Sequence, residues 1–142
     1  MGSSEPTDTV AAFCVASETC DVDGMVATLA TDVELVSPIS GRMVFRGRDD
    51  LRVLLAAIYG SLRELKWADA VGDATVAVAV SEGNVAGIRI TDALVFDLDE
   101  SGQIRRLRPH LRPLLAIIVF TAMLGPKMAR HLGVVRRALS RP

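Results

Sequence analysis

The segment Ile88-Arg89-Ile90-Thr91-Asp92-Ala93-Leu94-Val95-Phe96-Asp97-Leu98 contains the pattern that decides the fold. Its apolar side chains recur mostly at even spacing, which is the period of a β-strand with one buried face. Asp92 has the same register, so we expect its carboxyl group on that apolar face. Turn-forming residues at 81–84 and 99–102 bound the segment and predict an antiparallel neighbour on each side.

Alternating apolar residues predict three more strands, at 65–71, 76–80 and 104–112. Consecutive strands joined by short turns are typical of an antiparallel meander. Because the helical patterns come first and the strands later, the sequence favours an α+β fold over a parallel α/β fold. The elements predicted before the meander are a helix from Thr7 or Asp8, a short helix capped by Asp23, strands at 33–37 and 43–45, and a helix that ends near Gly60.

Two helices are predicted after Pro113, at 114–124 and 127–139, with Gly125-Pro126 between them. The first is apolar nearly all round, so we expect it to be buried. A lid over a pocket and a dimer contact are the favoured roles, and contact with a membrane surface is not expected. The chain then divides into a disordered tail at 1–6, one domain at 7–113 and a C-terminal helical extension at 114–142, packed on the domain or on a dimer partner.

Composition narrows the functional classes. The chain has 142 residues, is 50% hydrophobic and carries a net charge of -1, which gives no general reason to expect nucleic acid or an anionic membrane as a partner. Cys14 and Cys20 are too few for a disulfide framework, and no Cys/His spacing suits zinc. No nucleotide, flavin or nicotinamide motif is present, so no metal or cofactor is predicted. The N-terminus does not have the pattern of a signal peptide, and a cytoplasmic protein is expected.

Three segments carry a family resemblance: Asp32-Val33-Glu34-Leu35-Val36-Ser37-Pro38, Phe45-Arg46-Gly47-Arg48-Asp49 and Phe96-Asp97-Leu98-Asp99-Glu100-Ser101-Gly102-Gln103-Ile104. In this order they resemble the SnoaL-like, or nuclear transport factor 2-like, superfamily. The resemblance implies a cone: N-terminal helices packed in a curved, mainly antiparallel sheet, with a pocket inside and often a homodimer through the outer sheet face. Its members include ketosteroid isomerases, polyketide cyclases, epoxide hydrolases, dehydratases and non-catalytic binding proteins, so the fold does not select the function.

The ketosteroid isomerase pattern matches this chain at one of three positions. Asp92 stands where that family has an acid that donates a hydrogen bond to a developing oxyanion. Ser37, immediately before Pro38, stands where the family has its general base, and Phe13 or Cys14 stands where it has a tyrosine. The epoxide hydrolase pattern fits less well, since it needs paired charges on one strand face.

The residues themselves make Asp92 the strongest candidate. An acid on an apolar face is costly unless it is neutral or hydrogen-bonded, and burial raises its pKa. Alternatively, Asp92 is a structural acid bonded to backbone or to Tyr59. Asp69 follows Leu65 and Trp67 in register and is either a general base or a half-solvated residue at a strand end. The side chains predicted to bind a substrate are Phe13, Leu35, Ser37, Tyr59, Trp67, Ile90, Leu107 and Leu111.

Two functions therefore stay open. One is a cofactor-free isomerase, cyclase or dehydratase for an apolar substrate, in which Asp92 donates to an oxyanion and Asp69 moves a proton. The other is a non-catalytic protein that binds an apolar small molecule or a partner chain. The lack of a carboxylate at Ser37 and of a phenol near Phe13 favours the second. A cavity that holds both carboxyl groups would favour the first.

Overall fold

An eight-stranded sheet wraps around the N-terminal helices in the computed structural model, which describes residues 8–140. The disordered tail predicted at 1–6 lies outside the described residues. In chain order the elements are α1 (Asp8–Glu18), α2 (Val22–Val26), β1 (Leu29–Val36), β2 (Val44–Arg46), α3 (Arg48–Ser61), β3 (Arg63–Trp67), β4 (Val71–Gly72), β5 (Val76–Val85), β6 (Ile88–Leu98), β7 (Ile104–Arg108), β8 (Leu111–Arg112), α4 (Leu114–Ala129) and α5 (Leu132–Leu139).

The strand order is β2-β1-β7-β6-β5-β3, with β4 paired to β5 and β8 paired to β6. Only the β1–β7 pair is parallel among the described strands, so the predicted meander and mainly antiparallel sheet are confirmed. Register shifts interrupt three of the ladders. Such irregularities bend strands, which suits a sheet that curves around helices.

The turn predicted at 81–84 is wrong. β5 continues through these residues, and the chain reverses at Ala86-Gly87, both of which have positive φ, as a tight hairpin turn requires. Gly83 packs closely against β3 instead: a Cβ there would come within 3.3 Å of the Arg63 carbonyl oxygen, which is a tight contact. Pairing along β6 therefore overrides a local composition that is typical of turns.

The core lies between the helices and the concave face of the sheet. Phe13 of α1 is fully buried and contacts Phe96 of β6 edge to face, with ring centroids 5.5 Å apart. From α3, Leu51 and Leu55 are buried against the same interior. Burial of each such side chain contributes about 1.5–3 kcal/mol, so α1 and α3 are held firmly inside the sheet.

The C-terminal helices differ from the prediction in two ways. α4 runs through Gly125 and Pro126 without a break; Pro126 lies on the exposed side, where water can satisfy the carbonyl that loses its partner. α4 packs on α3 and on β8, and α5 packs on β2. Only one side of α4 is buried, however. Leu114, Leu115 and Ile118 are exposed on the single chain, so the domain itself does not bury that face.

Two polar contacts join the extension to α3. The guanidinium of Arg137 donates to both carboxylate oxygens of Asp50, at 2.9 and 2.8 Å, and Asp50 is buried. The Lys127 ammonium donates to the Ser61 hydroxyl at 2.6 Å. These contacts fix where α4 and α5 lie beside the opening of the sheet.

Candidate functional site

An apolar cavity of about 360 Å³ lies between the concave face of the sheet and helices α3, α4 and α5. Its volume is at the lower end of the range for small-molecule sites. Apolar side chains form nearly all of its wall. The polar side chains that line it, within the part of the chain that the structure describes, are Ser37, Tyr59, Asp92 and Thr121.

Asp92 is placed in the wall by β6, opposite Leu111 of β8. Its Oδ1 accepts a hydrogen bond from the backbone N–H of His110 at 3.0 Å. Burial raises the pKa of the Asp92 carboxyl from 3.8 to about 7, and the hydrogen bond and charge of His110 only partly oppose this. Near neutral pH the group therefore exists in both forms, and its protonated form is a hydrogen-bond donor in an apolar wall.

Tyr59 lies on α3 and lines the same cavity. Among residues 8–140, its hydroxyl has no hydrogen-bond partner. Burial raises the pKa of the Tyr59 phenol well above its usual value, and the charges of Asp92 and Cys14 raise it further. The phenol thus keeps its proton at any ordinary pH. Tyr59 and protonated Asp92 are thus two O–H donors in the wall of the same cavity.

Most of the predicted binding residues do meet in this cavity. Besides Asp92, the predicted residues in its wall are Phe13, Leu35, Ser37, Tyr59, Leu107 and Leu111. Ile90 is excluded from it and instead lines a smaller cavity of about 30 Å³, which Tyr59 and Asp92 also border. The hydroxyl of Ser37 accepts a hydrogen bond from the Ile39 N–H at 3.2 Å, as expected for a residue that stabilises a turn.

Asp69 does not share the cavity with Asp92. β3 ends at Trp67, so the alternation that would turn Asp69 inward stops before it, and the residue is exposed between β3 and β4. It is absent from both cavity walls. The structure thus gives the half-solvated alternative for Asp69 and does not bring the two carboxyl groups together.

Trp67 is not in either cavity wall. Its indole Nε1–H donates to the Ser17 hydroxyl at 2.7 Å, and its ring tilts against Phe96 with centroids 6.4 Å apart. The Ser17 hydroxyl in turn donates to the Cys14 carbonyl at 2.8 Å. Trp67 therefore joins β3 to α1 and does not line the cavity.

We expect Trp67→Phe to lower the free energy of unfolding by about 1–2 kcal/mol, because it leaves the Ser17 hydroxyl without its donor. Urea denaturation of Trp67→Phe, Ser17→Ala and the double variant measures this. If the hydrogen bond causes the effect, the sum of the losses of unfolding free energy in the two single variants exceeds the loss in the double variant by about 1 kcal/mol. Strict additivity would contradict it.

A lid over a pocket was one predicted role of the C-terminal helices, but none of their residues was predicted to line the cavity. Phe120, Leu124 and Met128 of α4 face the cavity, and exposed Leu132 and Ile39 border it from α5 and from the β1–β2 connection. The mouth therefore opens between that connection and the junction of α4 with α5. The apolar pattern of 114–124 showed that some face is buried but not which one.

The arrangement can bind and polarise an oxygen atom, but it supplies one carboxyl group rather than two. Among residues 8–140, Asp92 is the only carboxylic acid in the cavity wall, and no histidine or lysine lines it. His110 is exposed, and its imidazole contacts the Ala93 carbonyl at 3.1 Å. No group of three His, Cys, Asp or Glu side chains in the described part of the chain is placed to hold a metal ion.

Comparison with known proteins gives the fold a context. No family model and no curated protein matches the chain. Solved structures do match. An uncharacterised protein with a cystatin-like fold from Silicibacter pomeroyi DSS-3 is 20% identical, with a TM-score of 0.85, over 92% of this chain and 94% of that one.

Two other structures extend the likeness. A steroid delta-isomerase from Pseudomonas aeruginosa is 16% identical, with a TM-score of 0.78, over 88% of this chain and 92% of that one. A protein of unknown function from Cytophaga hutchinsonii ATCC 33406, described as NTF2-like, is 15% identical, with a TM-score of 0.61, over 79% and 94% of the two chains. At these identities the likeness concerns the fold. With its helices inside a curved, unclosed sheet and its C-terminal helices beside the opening, the chain has the cone-shaped nuclear transport factor 2-like fold, as the sequence resemblance predicted.

Proposed function

We propose that the protein binds an apolar small molecule in the cavity and holds one oxygen atom of that molecule through Tyr59 and protonated Asp92. The observation that carries this is the Asp92 carboxyl, which lies in an apolar wall with a pKa raised to about 7. A half-buried acid in an apolar wall that can stay neutral donates a hydrogen bond, and the Tyr59 phenol in the same wall, which has no partner among residues 8–140, supplies a second.

Binding is favoured over catalysis because the described cavity wall contains no second carboxyl group and no imidazole or amine that could act as a base. An isomerase or dehydratase of this kind needs a base to remove a proton from carbon, and Ser37 at the corresponding position is already engaged with the Ile39 N–H. Asp69, the other candidate, is exposed outside the wall. The likeness to a steroid delta-isomerase keeps isomerisation as the alternative. Measurable conversion of a 3-ketosteroid that is lost in Asp92→Asn would support that alternative.

A matched pair of probes tests the binding proposal: 2-acetylnaphthalene, which has a carbonyl oxygen, and 2-ethylnaphthalene, which does not. At pH 5.5 we expect the ketone to bind roughly 5- to 30-fold more tightly, because one or two added hydrogen bonds contribute about 1 kcal/mol each. The preference should shrink about tenfold at pH 8.5, since ionised Asp92 repels the carbonyl oxygen. Isothermal titration calorimetry measures both constants.

Asparagine at position 92 separates the donor from the charge. Its amide still donates a hydrogen bond but does not titrate, so Asp92→Asn should keep the ketone preference at both pH values. Asp92→Leu leaves only the Tyr59 donor, so it should reduce the ketone preference to the same smaller value at both pH values. Asp69→Asn removes an exposed carboxylate outside the cavity and is the matched control, which should behave as the parent does. Equal binding of ketone and hydrocarbon by the parent at pH 5.5 would refute the proposal.

A further inference from the structure

α4 presents an apolar face to solvent. Leu114, Leu115 and Ile118 are 72%, 60% and 56% exposed, whereas Ala116 and Phe120 on the other side of the helix are buried. The exposed face continues through Thr121, Ala122 and Gly125, and no charged residue occurs from 114 to 126. At 1.5 Å per residue, this face is roughly 20 Å long. We call these six exposed residues the α4 apolar face.

Charge is distributed very unevenly along the chain. After Glu100 the sequence contains nine lysines and arginines and no aspartate or glutamate, whereas all 17 acidic residues lie at or before Glu100. The net charge of -1 therefore hides a strongly basic C-terminal part. Arg106, Arg108 and Arg137 pair with acids of earlier elements, so only the basic residues left unpaired at the surface favour a negatively charged partner.

Three of these basic residues remain available beside the helix. Arg112 precedes α4 by two residues, Arg130 is its C-cap, and Arg136 lies on α5; all three are exposed. Within residues 8–140, none of the three forms an ion pair. By contrast, Arg137 and Lys127 are engaged with α3. Positive charge is thus left at both ends of the α4 apolar face.

We propose that the α4 apolar face, together with Arg112 and Arg130 at its ends and Arg136 on α5, docks on the surface of an anionic lipid bilayer. Apolar side chains of a helix that lies in the interface enter the boundary between headgroups and acyl chains, and arginines beside them pair with anionic headgroups. The helix lies on the bilayer rather than across it. Among residues 8–140, no single helix is long and apolar enough to span a membrane, and the pair α4 and α5, which together reach that length, is bent by 114°.

A second copy of the chain fits this surface less well. In a symmetric dimer the same patch meets itself, so in an antiparallel pairing of two α4 helices Arg112 of one copy would approach Arg130 of the other. Like charges at both ends of the contact oppose it. An anionic bilayer, in contrast, can bury the apolar side chains and pair with the arginines at both ends of the face at the same time.

The cavity mouth adjoins this surface. Thr121 and Gly125 of the α4 apolar face are exposed and also line the cavity, as does exposed Leu132. Docking does not need the cavity to hold a ligand. If the proposed function is correct, however, an apolar ligand passes between bilayer and cavity through this mouth without crossing much water.

Vesicle sedimentation tests the docking. One set of vesicles consists of phosphatidylcholine, and in the other about a third of the lipid is phosphatidylglycerol. We expect binding to the anionic vesicles only, weakened roughly tenfold or more between about 0.05 M and about 0.5 M sodium chloride, because salt screens exposed charges. Absence of binding to the anionic vesicles would overturn the proposal.

Surface variants locate the contact. The double change Leu115→Glu with Ile118→Glu should abolish vesicle binding, whereas Val15→Glu, at a valine that is 67% exposed on α1, should not. Arg112→Gln and Arg130→Gln should each weaken binding about fivefold, and exposed Arg63→Gln on β3 should not change it. All of these side chains are exposed, so the variants should fold; circular dichroism confirms this. Undiminished binding by the double variant would overturn the proposal.

Light scattering of the free protein tests the alternative that a second copy of the chain covers the α4 apolar face. A dimer that the same double change dissociates, with no vesicle binding by the parent, would assign this face to a second copy and overturn the proposal. Asp92→Asn separates the docking proposal from the ligand proposal: it should remove the pH dependence of ketone binding and leave vesicle binding unchanged. Failure of docking thus leaves the ligand test intact, and failure of ligand binding leaves the docking test intact.

Discussion

Replacing Asp92 by asparagine is expected to stabilise the folded protein at pH 8 by about 2–4 kcal/mol and to change its stability little at pH 4. The cause is the raised pKa of the Asp92 carboxyl, about 7 in the folded chain against an ordinary 3.8. Between these values the folded state binds a proton that the unfolded state releases. The stability that Asp92 contributes is therefore complete below about pH 4 and is lost as the pH rises to about 7.

The size of the effect follows from the difference between the two pKa values, which corresponds to about 4 kcal/mol as an upper limit. Asp92 is only half-buried, because it borders a cavity that opens to solvent, so we expect a smaller effect than this limit. Asparagine does not titrate, and its side-chain oxygen can still accept the hydrogen bond from the His110 N–H. The variant therefore removes the charge without removing the contact.

Urea denaturation of the parent and the variant at several pH values between about 4 and about 8 measures this difference. The other titrating groups are common to both proteins and cancel in the subtraction. Asp69→Asn, at an exposed site, is the matched control. A stability difference that does not change with pH would show that the Asp92 carboxyl is well hydrated, and the ligand proposal would lose its main support.

Phe13→Ala is expected to lower the free energy of unfolding by about 3–5 kcal/mol. Phe13 is fully buried and makes edge-to-face contacts with Phe96 and Tyr59, with ring centroids 5.5 and 6.1 Å apart. Such pairs contribute beyond their buried area. Because Phe13 also lines the cavity, the deletion enlarges that cavity, so the variant should admit larger ligands even though it is less stable.

Val15→Ala on the same helix is the control, since an exposed valine contributes little to packing and should change stability by less than about 0.5 kcal/mol. Thermal and urea denaturation of the two variants give the comparison. A loss below about 1 kcal/mol for Phe13→Ala would mean that the α1 side of the core rearranges, and the position of the cavity wall would need revision.

The prediction for Asp92 succeeded in placing it because strand alternation is a local property. Ile90 and Leu94, two residues away on either side, are buried, so the carboxyl between them shares their face of the sheet. The same reasoning failed for Asp69 because it assumed that β3 continues beyond Trp67. Where a strand ends depends on what its partner offers for pairing, and β5 pairs with β3 only as far as Trp67.

Trp67 and Tyr59 show that a local sequence pattern also does not predict which side chains line the cavity. Both are amphipathic aromatic residues, and both were predicted to line a pocket. The indole of Trp67 found a partner in Ser17, a residue 50 positions earlier, whereas the Tyr59 phenol remained open to the cavity. No local pattern distinguishes these outcomes, because the partner comes from a distant part of the chain.

From the sequence alone, the order of helices and strands, the antiparallel meander and the apolar face that carries Asp92 could be determined, because residue period and turn chemistry act over a few neighbouring residues. Only the tertiary structure decided that Asp69 lies outside the cavity, that α4 buries one side and exposes the other, and that the C-terminal helices border the mouth. Those outcomes depend on contacts between residues far apart in the chain, such as Arg137 with Asp50 and Lys127 with Ser61, which the sequence pattern does not encode.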